Sequence, residues 1–165
     1  MATSSVIKTS IDGSIKLIDG TGSPNTFTVD FEDGDFSFSD DKTERIVMRD
    51  RGAIVGLRKG DDAVASFSFS TYMRDFTDAS GLTICDVIDK TGAASGWAST
   101  GGTGFEQYLL NVEIECEGTG HGDSGDHQLT LTKCFLSWSF SESKDGNKID
   151  VTGEVYGTRT RTEAS

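Results

Sequence analysis

Strict alternation of apolar and polar residues is the feature that most constrains how this chain can fold. From residue 110 to residue 117 every second position is apolar, with Asn or Glu between them. The same period of two recurs over residues 27–31, 63–72 and 149–156. Successive side chains of a strand point to opposite faces, so each segment is predicted to be a strand with one buried and one solvated face. This pattern is typical of antiparallel sheets.

Another alternating segment changes phase midway. Leu129 and Leu131 lie on one parity, whereas Leu136 and Trp138 lie on the other. A slip of one residue moves every later side chain of a strand to the opposite face. The segment therefore predicts either a β-bulge near Lys133 or a strand that passes between two sheets.

One segment has helical rather than strand character. Apolar residues form a rough helical stripe through Leu82–Lys90, Ser80 can cap its start, and Gly92 can end it. We therefore expect a mainly β protein, an antiparallel β-sandwich or barrel, with one flanking α-helix at about residues 81–91. The dipeptide Asp145–Gly146 predicts a tight turn between the last two strands.

Length and charge narrow the class of protein. The chain has 165 residues, which predicts a single domain over residues 1–165. Its net charge of −12 argues against sustained binding to a phosphate backbone, because such binding needs a basic patch. No apolar run approaches the roughly 20 residues of a membrane span, and the first residues lack the regions of a signal peptide. Cys85, Cys116 and Cys134 cannot all pair, so we expect reduced, buried thiols in a protein assembled in the cytosol.

Residues 118–127 hold partial matches to catalytic motifs. Gly122–Gly125 reads Gly-Asp-Ser-Gly, part of a serine-protease nucleophile motif, but the two histidines of the chain, His121 and His127, lie in the same loop. The pattern Gly-x-Gly-x-x-Gly in this loop leads into a strand and not a helix, which argues against a dinucleotide site. The sequence therefore predicts no catalytic residues and no enzyme.

Two acidic regions offer metal ligands. One holds His121, Asp123, Asp126 and His127, whose side chains can converge on an ion, although solvated loops have the same composition. The other, which runs from Asp33 to Asp41, lacks the residue order of a calcium-binding loop. We expect solvated turns in both places, with no metal and no cofactor.

Three stretches of the chain resemble the tail tube proteins, also called major tail proteins, of tailed bacteriophages. They are Gly13–Gly22, Phe27–Phe36, and Arg51–Asp62 with the Ser- and Phe-rich strand that follows to Tyr72. The order of strands, loop or hairpin, helix and closing strands also matches. The resemblance implies a structural virion protein, the tail tube subunit, whose copies form hexameric rings that stack into a hollow conduit for DNA ejection. It also implies a relationship in fold to the tube protein of type VI secretion systems.

The same resemblance implies partners and a location. Copies of the chain would assemble with one another, a tape measure protein would fill the growing tube, and tail terminator and distal tail or baseplate proteins would bind its ends. DNA would pass without specific binding, because an acidic lumen repels phosphate. The protein would belong to the tail of a virion assembled in the cytoplasm of a host bacterium, with no membrane involved.

Two sets of residues are candidates for roles in such a tube. Acidic residues on solvated strand faces are candidates to line the lumen: Glu113, Glu115, Asp150 and Glu154. The segment Ile46–Asp62, read as a hairpin or a long extended loop, is the candidate for contacts between rings. Its charged residues are Arg45, Arg49, Arg51, Arg58, Lys59, Asp61 and Asp62, and they could meet an acidic rim on the next ring.

Two alternatives stay open at this point. The first is a β-sandwich binding module that recognises a carbohydrate or a receptor on a phage tail or cell surface, with Trp97, Trp138 and Tyr108 as an aromatic platform. The second is a small hydrolase that uses the His121–His127 loop. Sugar affinity of a monomer or trimer would favour the first, and metal content would favour the second.

Overall fold

The computed structural model describes residues 7–9, 13–30, 33–40, 43–78 and 80–163. These residues confirm a mainly β protein with antiparallel pairing. The strands are β1 (Gly13–Ile18), β2 (Thr26–Thr28), β3 (Ser37–Ser39), β4 (Arg45–Asp50), β5 (Ala53–Lys59), β6 (Ala65–Tyr72), β7 (Leu110–Cys116), β8 (His127–Ser141), β9 (Lys148–Val155) and β10 (Arg159–Glu163), and the helix is α1 (Ile84–Asp89). Phe31, Glu32 and Asp41, which belong to the motifs above, lie outside the described residues.

The larger sheet has two halves that share strand β8. Its strand order is β2-β1-β7-β8-β9-β6-β3, and β10 also pairs with β8. Residues 127–131 of β8 pair with β7 and β10, whereas residues 134–141 pair with β9. Side chains from both halves, such as Leu17, Phe69 and Val151, meet in one core. The two halves therefore face each other across that core, as in a sandwich or barrel.

Two short strands cover opposite edges of this sheet. β2 pairs with β1, and Val29, just after β2, donates its N–H to the carbonyl of Ile15 at 2.9 Å. β3 pairs with β6, and Asp33, before β3, donates its N–H to the carbonyl of Ser70 at 3.0 Å. Val29 and Asp33 are four residues apart in the chain and bond to opposite edges, so the two edges of the sheet lie close together.

The predicted phase change in β8 is confirmed, and a bulge causes it. Leu131 and Cys134 both bury their side chains, and Lys133 between them has a left-handed backbone with φ of 55°. The register with β7 shifts here, and the side-chain oxygen of Asn111 accepts a hydrogen bond from the Lys133 N–H at 3.1 Å. The bulge lies where β8 passes between the two halves of the sheet, so both of the predicted features occur together.

The helix is shorter than the predicted range of about 81–91. Thr83 is the N-cap, because its hydroxyl oxygen accepts the N–H of Asp86 at 3.2 Å, and Lys90 ends the helix with φ of 55°. Ser80, the predicted cap, donates its hydroxyl to a neighbouring carboxylate instead. Gly92 begins a separate 3₁₀ turn. These caps leave α1 with six residues.

A buried carboxylate joins the segments around the helix. Asp86 is 1% exposed and accepts hydroxyl hydrogen bonds from Thr77, Thr83 and Thr91 at 2.9–3.1 Å. Burial raises the pKa of this carboxyl, but the hydrogen bonds outweigh it and hold the pKa below its ordinary value. The surrounding loops therefore stabilise the ionised carboxylate of Asp86.

β4 and β5 form a separate hairpin. They pair from Arg45 opposite Lys59 to Asp50 opposite Ala53, and the turn residues Arg51 and Gly52 have positive φ. All of β4 is exposed, as is all of β5 except Gly56. Of the two readings of this segment, the hairpin is confirmed, and it stands clear of the core.

Candidate assembly surfaces

The β4–β5 hairpin exposes apolar side chains on both faces. Opposite residues of an antiparallel pair share a face, so Val47 and Leu57 lie on one face and Ile46 and Met48 on the other. Leu57 is 63% exposed and Ile54 is 65% exposed. Concentrated exposure of this kind marks an interaction site. A hairpin with two apolar faces is suited to contact other molecules on both sides.

The predicted inter-ring residues all lie on this hairpin or at its base. The cations are Arg45, Arg49, Arg51, Arg58 and Lys59, and every one is exposed. Asp50 is the carboxylate between them, so residues 45–59 carry a net charge of +4 in a chain of −12. At the base, Lys59 Nζ lies 2.6 Å from a carboxylate oxygen of Asp62 and lowers the pKa of that carboxyl. Because the whole chain has a net charge of −12 and residues 45–59 have +4, the remaining residues carry a net charge of −16.

The outer surface of strands β3, β6, β9 and the second part of β8 is rich in hydroxyl groups. We call it the hydroxyl face, and it is made of Ser37, Ser39, Ser66, Ser68, Ser137, Ser139, Asp150, Thr152 and Glu154. Cross-strand pairing sets Ser37, Ser68, Thr152 and Ser137 side by side in one row. The Ser137 and Thr152 hydroxyl oxygens are 2.9 Å apart. The alternation that buries Phe67 and Val151 is what turns these polar residues outward.

Carboxylates supply the charge of the hydroxyl face. The Ser70 hydroxyl, at its margin, lies 2.7 Å from an oxygen of Asp35 and 2.7 Å from an oxygen of Asp150. Lys148, the first residue of β9, donates a hydrogen bond from its ammonium group to the Asp33 carboxylate. This bond raises the pKa of Lys148. The charge of Lys148 is thus already paired, and the carboxylates Asp150 and Glu154 give the face a negative field.

The other two predicted lumen residues lie elsewhere. Glu113 and Glu115 are on the outer side of β7, where both contact Lys16 of β1. Lys16 Nζ is 3.7 Å from Glu113, and its hydrogen bond to Glu115 raises the pKa of Lys16. This surface belongs to the opposite half of the sheet, with the core between it and the hydroxyl face. The four carboxylates therefore do not form one surface.

The loop over residues 118–127 does not assemble a serine-protease site. His127 Nε2 lies 2.9 Å from Asp123, which also meets Lys8 at 2.9 Å. The Ser124 hydroxyl donates to Glu163 at 2.7 Å and not to a histidine. Nucleophilic catalysis by serine needs its hydroxyl on the base, so the hydrolase alternative gains no support from this geometry.

Neither a metal centre nor an aromatic platform is formed by the described residues. Among them, no group of three or more His, Cys, Asp or Glu is placed to hold an ion. Trp97 is buried, and Trp138 is half-buried and donates its N–H to Asp89 at 2.9 Å. Burial also raises the pKa of Tyr108 to about 12. Trp97 belongs to the core, and Trp138 and Tyr108 are partly buried against it, so the three rings do not form a flat exposed surface for a sugar.

Two further structural facts bear on the class of protein. No helix in the described ranges is long and apolar enough to cross a membrane.

Cys85 and Cys134 are buried thiols, and burial raises their pKa values to about 11 and about 12, whereas Cys116 is half-exposed. The expectation of buried thiols is thus met at two of the three positions.

Sequence comparisons find no relatives. No protein-family model matches the chain, and no curated protein matches its sequence.

Solved structures show where this fold occurs. The chain is similar to the tube-terminating cap of the anti-feeding prophage, with a TM-score of 0.61 and 13% identity over 99% of this chain and 95% of that chain. It is similar to a chain of the PVC sheath–tube complex, an extracellular contractile injection system, with a TM-score of 0.55 and 12% identity over 91% and 88%. A tail chain of an empty GTA particle has a TM-score of 0.50 and 18% identity over 94% and 99%. The resemblance to tail tube proteins is thereby confirmed at the level of the fold.

Proposed function

We propose that this chain is a structural subunit of a phage-type tail tube, whose copies form hexameric rings that stack into a hollow conduit. One observation carries the proposal: the fold shared with a tube-terminating cap extends over 99% of this chain. Two other similar structures are described as six-fold, the anti-feeding prophage baseplate and the GTA tail. A ring of six copies repeats one heterologous interface by cyclic symmetry.

Strand edges support lateral association within a ring. In the described residues, positions 135–141 of β8 pair only with β9. The four-stranded half that bears the hydroxyl face is bounded by β8 on one side and by β3 on the other. Neighbouring copies on both sides would cover these edges, as a closed ring requires.

The hydroxyl face is the surface we assign to the lumen. Asp150 and Glu154 would give that wall negative charge, and the surrounding hydroxyls would keep it hydrated. Such a wall repels phosphate, so DNA would pass without specific binding. Glu113 and Glu115 are not part of this assignment, because they lie on the opposite half of the sheet and contact Lys16.

The β4–β5 hairpin is the segment we assign to contacts between rings. Its exposed apolar and basic side chains would be buried against the acidic body of another copy. A tape measure protein inside the tube and terminator and baseplate proteins at its ends would complete the assembly in the tail of the particle. The role is structural, with no enzyme activity and no cofactor.

Charge reversal on the hairpin tests this function. Wild-type protein should form tubes at high concentration, and Arg51→Glu with Arg58→Glu should shorten them about tenfold, because each ring-to-ring contact then loses attraction. Negative-stain electron microscopy gives tube length, and thermal unfolding checks that the fold is kept. Arg161→Glu, at an exposed position on β10, is a control for charge reversal away from the hairpin and should leave tube length unchanged. Equal tube length and yield in all variants would contradict the assignment.

A further inference from the structure

The four-stranded half of the sheet has two chemically different ends. β6 spans about 23 Å from Ala65 to Tyr72 at the usual rise of a strand. The hairpin connects β3 to β6, so it is rooted at the Ala65 end. Tyr72, Lys148 and Ser141 form the last row at the other end, which we call the distal end.

The distal end is acidic. The connections there carry the carboxylates Asp30, Asp33, Asp35, Asp75, Asp78, Glu142 and Asp145 and the cations Arg74, Lys144 and Lys148. Two of these cations already have partners, because Arg74 lies 3.6 Å from Asp30 and Lys148 is bound by Asp33. The surface is therefore complementary in charge to the +4 hairpin, which is carried at the opposite end.

The distal end also offers an apolar contact. Tyr72, Phe76, Leu82 and Phe140 are each between 37% and 44% exposed there. A cavity of about 150 Å³ opens beside Tyr72 and Leu82. Phe27 also lines it, together with the charged residues Asp30, Arg74, Asp75 and Asp78. A cavity of this size has room for one aliphatic side chain.

We propose that the distal end of one copy of this chain receives the β4–β5 hairpin of a second copy. An aliphatic side chain near the hairpin tip, such as Ile54, enters the cavity, and the hairpin arginines face Asp75, Asp78 and Asp145. The proposal deepens the assigned function and rests on it, since it names the partner surface of the inter-ring hairpin. Each copy carries one donor and one acceptor at opposite ends, so the contact repeats head to tail without closing.

Complementary charge-reversed variants test this pairing. The acceptor-blocked variant has Asp75→Lys and Asp145→Lys, both at exposed positions, with a normal hairpin. The donor-blocked variant has Arg51→Glu and Arg58→Glu with a normal distal end. Each variant alone sets like charges against each other and should stack poorly. In their mixture both contacts join opposite charges, the wild-type pair and the reversed pair, so the mixture should associate at least about tenfold more tightly than either variant by itself. Combining all four changes in one chain restores complementarity and should restore stacking.

Crosslinking gives an independent measurement if a lysine variant loses its fold. In a Cys116→Ser background, copies carrying Ile54→Cys are mixed with copies carrying Leu82→Cys and treated with a short bifunctional thiol reagent. A crosslinked dimer is expected, and the control pair of Ile54→Cys with Thr160→Cys on β10 should give none. Equal crosslinking of the two pairs would overturn the proposal.

The outcomes separate this inference from the proposed function. Tubes that form normally from the acceptor-blocked variant would overturn the docking surface and leave the tube role intact. If the two variants associate when mixed but the wild-type protein forms no rings, the docking surface is supported and the tube role is contradicted. If the mixed variants do not associate and the wild-type protein forms no rings, the docking surface and the tube role are both contradicted.

Discussion

At Gly153 the size of a core residue is limited by its neighbour on the adjacent strand. It faces inward on β9 directly opposite Phe67 of β6, and a methyl group added there would overlap the Phe67 ring. Alternation in the sequence places Gly153 on the apolar side. It does not say why the residue is so small, because the reason depends on the register of two strands that are far apart in the sequence.

Replacing Gly153 by Ala should destabilise the fold by about 1–3 kcal/mol, the usual cost of overpacking. Gly22→Ala is the matched control, because nothing lies within 4 Å of a methyl group added at Gly22. The control should stay within about 0.5 kcal/mol of wild type. Urea unfolding of both variants measures the difference, and equal midpoints would show that the Phe67 ring gives way at no cost.

Buried carboxylates are the residue-scale features that the sequence did not reveal. Asp19 is 2% exposed and accepts hydrogen bonds from the N–H of Asn25 at 2.7 Å and of Ala98 at 3.1 Å. Asp86 holds three threonine hydroxyls in the same manner. In the sequence, Asp19 before Gly20 is indistinguishable from a solvated turn, because its distant partner comes close only in the folded chain.

At the scale of elements, strands were predictable and their pairing was not. The alternation located β6, β7 and β9 to within about two residues, since one buried face fixes the period. The helix was placed correctly but too long, because Thr83 and Lys90 cap it inside the predicted range. The order of strands and the sharing of β8 by two halves depend on contacts between distant segments, which a period cannot encode.

The bulge in β8 can be tested by residues that differ in tolerance for positive φ. Lys133→Val should be less stable than Lys133→Gly by about 1–2 kcal/mol, because the left-handed backbone penalises a side chain branched at Cβ. At Ser139, a regular exposed strand position, the order should reverse, with Val more stable than Gly. Chemical unfolding of the four variants gives both comparisons. The same order at both positions would contradict a left-handed bulge at Lys133.

At the scale of the whole molecule, charge is separated between the hairpin and the rest of the chain. A +4 hairpin stands at one end of a body that carries −16, and the opposite end presents carboxylates around a cavity lined by both apolar and charged side chains. The basic character of residues 45–59 was visible in the sequence. The sequence does not show that the four candidate lumen carboxylates lie on two different surfaces. Glu113 and Asp150 both occupy outward positions of alternating strands, and only the fold puts the core between them.

The central claim is that copies of this chain build a six-fold tube with the hydroxyl face inside. Helical reconstruction by cryo-electron microscopy of the purified protein at high concentration, beside its mass by light scattering, tests that claim most directly. We expect six subunits in each ring, with Asp150 and Glu154 around a hollow centre and the β4–β5 hairpin reaching the next ring. A monomer at every concentration, or an assembly with the hydroxyl face on its outer surface, would contradict it.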